Sequence, residues 1–227
     1  MTGNWLILET SDRVARIGLA RGASVAGTAE LDSARRHARD MTSTIDALLK
    51  AESLKPADLT GVMVSRGPGS YTGLRVGLTT AKALSYATGC ELRAVDTFAA
   101  IAEQTPANAN HVWVVADALQ GLVYAQQYVW RHEGWLAANQ LQILNANTFA
   151  AGLAVGDWVT GPGVSVHDAQ IPPANPRAVE AERFSRVASV FAVGRRLRPV
   201  TKEELFSLEP LYLRGSSAEE KAKEPRG

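Results

Sequence analysis

A chain of 227 residues can form one large domain or two small ones, each with its own core, and 46% hydrophobic with 21% charged residues excludes a mostly disordered protein. Twenty-four Lys and Arg against 23 Asp and Glu leave a net charge of +1, without the cationic surplus of a protein that holds nucleic acid by phosphate neutralisation alone. A single cysteine, Cys90, excludes an internal disulfide, and with no basic leader or long apolar run the chain reads as neither exported nor membrane-spanning, which points to the cytoplasm.

Residues 5–8 are an apolar run ending at Glu9-Thr10-Ser11-Asp12. Val14, Ile17 and Leu19 follow, then 25–31, with turn formers Ser11-Asp12 and Gly22 between them, the pattern of an antiparallel meander. From Asp40 the period changes: Met41, Ile45, Leu48 and Leu49 predict a helix over 39–53. Lys55-Pro56-Ala57-Asp58 ends it, and 59–65 reads as a buried strand reached by a parallel crossover. A glycine loop comes next, then a stripe of Leu74, Leu78, Ala81 and Leu84 on a helix over 73–88. Gly89 stands where a C-cap belongs, 92–95 is a short strand, and 97–104 a short helix that closes a first lobe over 1–105.

The polar stretch 105–110 is the candidate linker. Val112 to Asp117 then repeats the apolar strand ending in a carboxylate, with 122–130 and 135–144 as antiparallel companions. Four prolines make 161–177 a long loop, and Phe184, Val187, Ala188, Phe191 and Arg195 mark a last amphipathic helix. A smaller second lobe over 106–213 and a disordered tail over 214–227 complete the reading.

The chemistry is sparse. Gly67, Gly69 and Gly73 between a strand and a helix could aim backbone N–H groups at an anion, but no lysine follows Gly73, as a P-loop requires, and Thr72 stands where a dinucleotide loop needs glycine. The alternative is a tight turn with Ser70 or Thr72 capping the helix. Position i+4 from His37 is Met41, so no helical metal pair forms, and neither metal nor cofactor is expected. Gly69-Ser70-Tyr71-Thr72-Gly73 places its serine one position too early for a nucleophile elbow, so no catalytic residue is assigned. Glu9 and Asp117, each ending the first strand of a lobe, read as turn caps or a vestigial nucleotide cleft, and the alternative function is a stand-alone nucleotide-dependent phosphotransferase using them with the Gly67–Gly73 loop.

The run Ser65-Arg66-Gly67-Pro68-Gly69-Ser70-Tyr71-Thr72-Gly73-Leu74-Arg75-Val76-Gly77, followed by Ala81-Lys82-Ala83-Leu84, resembles the signature of the TsaB (YeaZ) family of bacterial tRNA threonylcarbamoyladenosine biosynthesis proteins. Residues 6–11, 37–49, 115–118 with Val123-Tyr124, and Pro210-Leu211-Tyr212-Leu213-Arg214 resemble further family segments. The resemblance implies an α/β fold of the actin, sugar-kinase and Hsp70 type, with two RNase H-like lobes, the second reduced, and a C-terminal segment packed back on the first. It implies a non-catalytic partner of TsaD, working with the ATPase TsaE, in transfer of threonylcarbamoyl to the adenosine beside the anticodon of tRNAs reading codons that begin with adenine. Contact with tRNA would be indirect, and the chain alone could form a homodimer. The partner surface it implies comprises the loop Arg66, Gly67, Pro68, Gly69, Ser70, Tyr71, Thr72, Gly73 and Arg75 with His37, Thr44, Ala47, Ala51, Thr79 and Ala83 on the two flanking helices. Glu9 replaces the family's usual aspartate, and Leu119 and Leu122 replace its usual arginine and glutamate, which argues against a polar site near Asp117.

Overall fold

Trp5, Leu6, Ile7 and Leu8 are buried without a break, which requires a strand covered on both faces; they lie in β1 (Asn4–Glu9), the middle of the first sheet. The computed structural model of the protein describes residues 2–32, 34–132 and 134–212. β2 (Val14–Arg21) runs antiparallel to β1 with Leu6 opposite Leu19, and β3 (Ser24–Asp32) continues the meander. β4 (Gly61–Gly67) lies parallel to β1 on its other side, and β5 (Glu91–Asp96) closes the order β3-β2-β1-β4-β5.

The period of two sends Leu6, Leu8, Ile17, Leu19, Val62 and Val64 to one face, where α1 (Ala34–Ala51) and α2 (Tyr71–Thr88) cover them with Met41, Ile45, Leu49, Leu78 and Ala81. Trp5, Ile7, Ala20, Met63 and Val95 take the opposite face, against Ala100 of α3 (Thr97–Ala102) and Val187, Val190 and Phe191 of α6 (Val187–Gly194). α1 begins five residues ahead of the expected 39, because its first turns hold good helix formers but none of the apolar stripe that marked the rest.

The second sheet has the order β10-β6-β7-β8, with β6 (His111–Asp117) antiparallel to β7 (Leu122–Arg131) and parallel to β10 (Trp158–Thr160). The single companion expected over 135–144 is instead two strands. β8 (Gly134–Ala137) pairs with one half of the long β7 and β9 (Gln142–Asn145) with the other, because Asn139 turns the chain and accepts the Gln127 N–H on its side-chain oxygen. α4 (Ala146–Ala151) follows under an Asn145 cap. The expected loop 161–177 is interrupted by α5 (Gly163–His167), whose entry at Pro162 suits a residue with helical φ and no N–H to lose.

The last expected helix forms as α6, on the first sheet and not on the second. α7 (Lys202–Ser207) was not anticipated, although Thr201 and Glu204 form a reciprocal capping box and Leu205 enters the first core. Between the sheets lies α3, with Ala100 toward the first and Phe98, Ile101 and Ala102 packed among Val112, Val114, Tyr128 and Trp135 of the second. The tail expected over 214–227 lies outside the described residues, as do Leu213 and the side chain of His37.

Candidate functional site

The glycine loop joins β4 to α2 and is packed from below by the β1–β2 turn. Gly67 has φ +119°, open to glycine but rarely to other residues, and a Cβ there would lie 2.9 Å from the Leu211 carbonyl oxygen. Pro68 follows through a cis peptide bond. A Cβ on Gly69 would stand 2.3 Å from the Ser11 carbonyl oxygen, and one on Gly73 2.1 Å from that of Thr10. The Ser70 N–H donates to the Ser11 carbonyl at 2.7 Å, and the Thr10 N–H donates to Ser65 Oγ at 3.0 Å. Ser70, not Thr72, caps α2: its Oγ accepts the Gly73 N–H at 3.2 Å, while Thr72 is exposed. Two of the N–H groups that could have faced an anion, those of Ser70 and Gly73, are thus met by the chain's own oxygens. Gly69→Val is expected to lower stability by about 1–3 kcal/mol, since the clash is with backbone that cannot swing away, and a denaturant melt beside the parent checks it.

The C-terminal segment covers this loop. Leu211 N–H donates to the Arg66 carbonyl at 2.7 Å, and Tyr212 stacks on Tyr71 with centroids 4.7 Å apart. On Tyr71 also lies the Arg75 guanidinium, 4.5 Å from the ring centroid. Arg66 pairs with Asp96, and Lys82 Nζ donates to the carbonyls of Phe206 and Leu208, each at 3.0 Å. These clasps fix α7 and the strand of chain after it along the flank of α2.

On the helices, Ala47 and Ala51 of α1 and Thr79 and Ala83 of α2 are exposed, off the buried stripes. Thr44 is half-buried and donates to the Asp40 carbonyl at 2.8 Å. α2 contains no acidic residue, and near its end the exposed rings of Tyr86 and Phe206 meet edge to face.

Glu9 and Asp117 differ sharply. Glu9 is fully buried; one oxygen accepts the Ser11 N–H at 2.7 Å and the Ser11 hydroxyl at 2.5 Å, and its other oxygen has no hydrogen-bond partner among the described residues. Burial pushes its carboxyl above the usual carboxylate range, only partly offset by Ser11, Ser185 and Arg16. Asp117 is half-exposed, accepts the Leu119 N–H at 3.2 Å, and sits 3.0 Å from His167 Nε2. Leu119 adopts φ +64° and is exposed, in a turn where the family's arginine was expected. Among the described residues no group of three or more His, Cys, Asp or Glu is placed to hold a metal ion. Sequence reasoning missed His167, Ser185, Lys82 and Phe206; only the partnership of strand-end carboxylates with distant hydroxyl or imidazole groups could have found the first two, and that depends on the folded topology.

A family model described as TsaD, tRNA N6-adenosine threonylcarbamoyltransferase, matches residues 25–154, more than half of the chain. The tRNA threonylcarbamoyladenosine biosynthesis protein TsaB of Bacillus subtilis (strain 168) is 30% identical over 131 residues, 56% of this chain and 56% of that protein, so the chain matches little over half of that relative's length. The protein of the same name from Escherichia coli (strain K12) is 24% identical over 163 residues, 68% of this chain and 69% of its own. The solved structure of YeaZ from Pseudomonas aeruginosa superposes with a TM-score of 0.79 at 20% identity, covering 94% of this chain and 100% of that one, which shows the two-lobed fold. With that fold, the glycine signature and the match over 25–154 together, the chain belongs to the TsaD-type family of this model, in its TsaB (YeaZ) branch.

Proposed function

We propose that this protein is a non-catalytic subunit of the bacterial assembly, with TsaD and TsaE, that transfers threonylcarbamoyl to the adenosine beside the anticodon in tRNAs reading codons that begin with adenine. It works in the cytoplasm and binds TsaD directly through the exposed face of α1 and α2. It meets TsaE in the larger complex, reaches tRNA through its partners, and uses the same face for a homodimer when alone. The observation that carries the reading is the start of α2, where the chain's own oxygens take the Ser70 and Gly73 N–H groups. A phosphotransferase of this fold needs backbone N–H groups free to hold phosphate and a carboxylate open to the metal-nucleotide. Here Ser11 O and Ser70 Oγ occupy the N–H groups of Ser70 and Gly73, and Glu9 is buried as a group that resists ionisation. What is left exposed is a helical face of small side chains, suited to close approach by another helix pair.

The test uses the purified chain in three measurements: a nucleotide titration, metal analysis, and calorimetry with TsaD of the same organism. A stoichiometric complex with TsaD, no ATP or peptide turnover and no stoichiometric metal is the expected outcome. Micromolar ATP binding with turnover abolished by Glu9→Gln would replace this reading with a phosphotransferase.

A further inference from the structure

The chain passes between its lobes twice, outward through 103–110 and back through 179–186, and three successive residues of the outward pass are each tied to a different part of the fold. The Glu103 carboxylate takes the Arg196 guanidinium on both its oxygens, at 3.1 and 2.5 Å, and Arg196 follows α6 of the first lobe. Arg196 also reaches the second lobe, since a Cβ on Gly134 of β8 would stand 3.6 Å from its Cζ. Gln104 donates from its side-chain nitrogen to two carbonyls of the return pass, Phe184 at 2.8 Å and Glu182 at 3.3 Å. The Thr105 carbonyl accepts the indole N–H of Trp135, also on β8, at 3.1 Å, and the Asn110 carbonyl accepts the Trp130 N–H of β7 at 3.0 Å. The return pass is held at both ends. Its residues Glu180–Glu182 are wound as a 3-10 turn, and Arg183 donates to the Ala178 carbonyl at 3.0 Å and to Ser165 Oγ of α5 at 3.2 Å. Beyond it, Val187 fills the space that a Cβ on Gly18 of β2 would need.

A hinge needs a few residues whose φ and ψ can change without loss of contacts, as in two-lobed enzymes that close on a ligand. This junction offers none: 103, 104 and 105 are each pinned, and α3 just ahead of them divides its side chains between the two cores. We propose that the joint is a fixed wedge: the lobes are locked at one angle, the chain works as one rigid body that does not close on a ligand, and the Gln104 carboxamide is the pin between the two passes. Two carbonyl oxygens facing one side-chain atom require a nitrogen there, which fixes the orientation of the amide and uses both of its protons. Gln104 is half-buried and Thr105 buried, so water has little room to take over these bonds. Gln104→Glu keeps the shape of the side chain but sets a carboxylate oxygen against the same two carbonyls, which repel it. The consequence of the wedge is geometric: whatever binds the exposed face of α1 and α2 meets the second lobe at a set distance and angle.

Double electron–electron resonance on the whole chain reads the lobe angle as a distance between spin labels on Lys50→Cys of α1 and Val155→Cys in the turn before β10, in a Cys90→Ser background diluted with unlabelled protein. Lys50 and Val155 are exposed, so neither label enters a core. The parent is expected to give one narrow distance distribution that saturating Mg-ATP leaves in place. Gln104→Glu is expected to broaden it and to speed amide hydrogen exchange over 103–105 and 182–186 about tenfold, while the amides of β1 and β6 stay as protected as in the parent. A parent with two distances, or one whose distance moves with Mg-ATP, overturns the wedge, as does a folded Gln104→Glu with the parental distribution. If Gln104→Glu does not fold, Gln104→Ala and the parent's own distribution decide the question by the same criteria.

Discussion

Ala83→Glu is expected to weaken binding to TsaD by about 2–5 kcal/mol without moving the melting temperature appreciably. Ala83 is exposed on α2, outside the buried stripe of Leu74, Leu78 and Ala81, so the substitution meets no core and changes helix propensity by a few tenths of a kcal/mol at most. In the proposed complex the same position lies against a facing helix, where a carboxylate would be stripped of water with no partner supplied. The α2 face offers it little relief: Arg75 lies over Tyr71, and Lys82 is taken by the Phe206 and Leu208 carbonyls. Ala47→Arg on α1 tests the companion helix in the same way. Tenfold weaker binding needs only about 1.4 kcal/mol, so calorimetry resolves either effect, with a circular dichroism melt to establish folding. Parental affinity in two folded variants would move the interface off these helices.

Phe98→Ala is expected to cost about 3–5 kcal/mol, a large share of a typical domain's stability. The ring is 1% exposed in α3 and packs with Val112, Val114, Tyr128 and Trp135 of the second sheet, while Ala100 two residues on faces the core of the first. Truncation thus opens a cavity at the joint between lobes, where neither sheet can shift to fill it without losing the other. Four of the five tryptophans, Trp113, Trp130, Trp135 and Trp158, belong to the second lobe, so fluorescence follows that lobe while circular dichroism follows the whole. Denaturant unfolding should show the midpoint falling in both signals. A parental midpoint would remove α3 from its place as the joint.

Legibility in the sequence followed the range of the interactions. The meander, α1, α2 and β6 each carry their period within a dozen residues, and the two-lobed fold class followed from resemblance added to those periods. Single companions of β7 were not separable by pattern, because what divides 134–145 is one side-chain amide on a backbone N–H across the hairpin. The apolar stripe of α6 was visible, but not which sheet it faces; that choice depends on Val187 and Phe191 sharing a core with Trp5 and Ile7 across 180 or more positions. α7 is the reverse case, since Thr201 and Glu204 write a capping box that a local reading can find. At the site, Gly67, Gly69 and Gly73 were singled out for their loop, yet the oxygens that crowd them come from Thr10, Ser11 and Leu211, in distant parts of the chain.

That α6 and α7 complete the core begun by β1 also bears on how the chain is made. Leu205 shares a cluster with Met41 and Leu78, and Val190 shares another with Trp5 and Met63. During synthesis the first five strands therefore emerge with both faces of their sheet unfinished, and one face stays open to water until the final helices leave the ribosome. The second lobe, continuous from β6 to β10, meets no such wait: the lobe translated first is the one whose interior is sealed last.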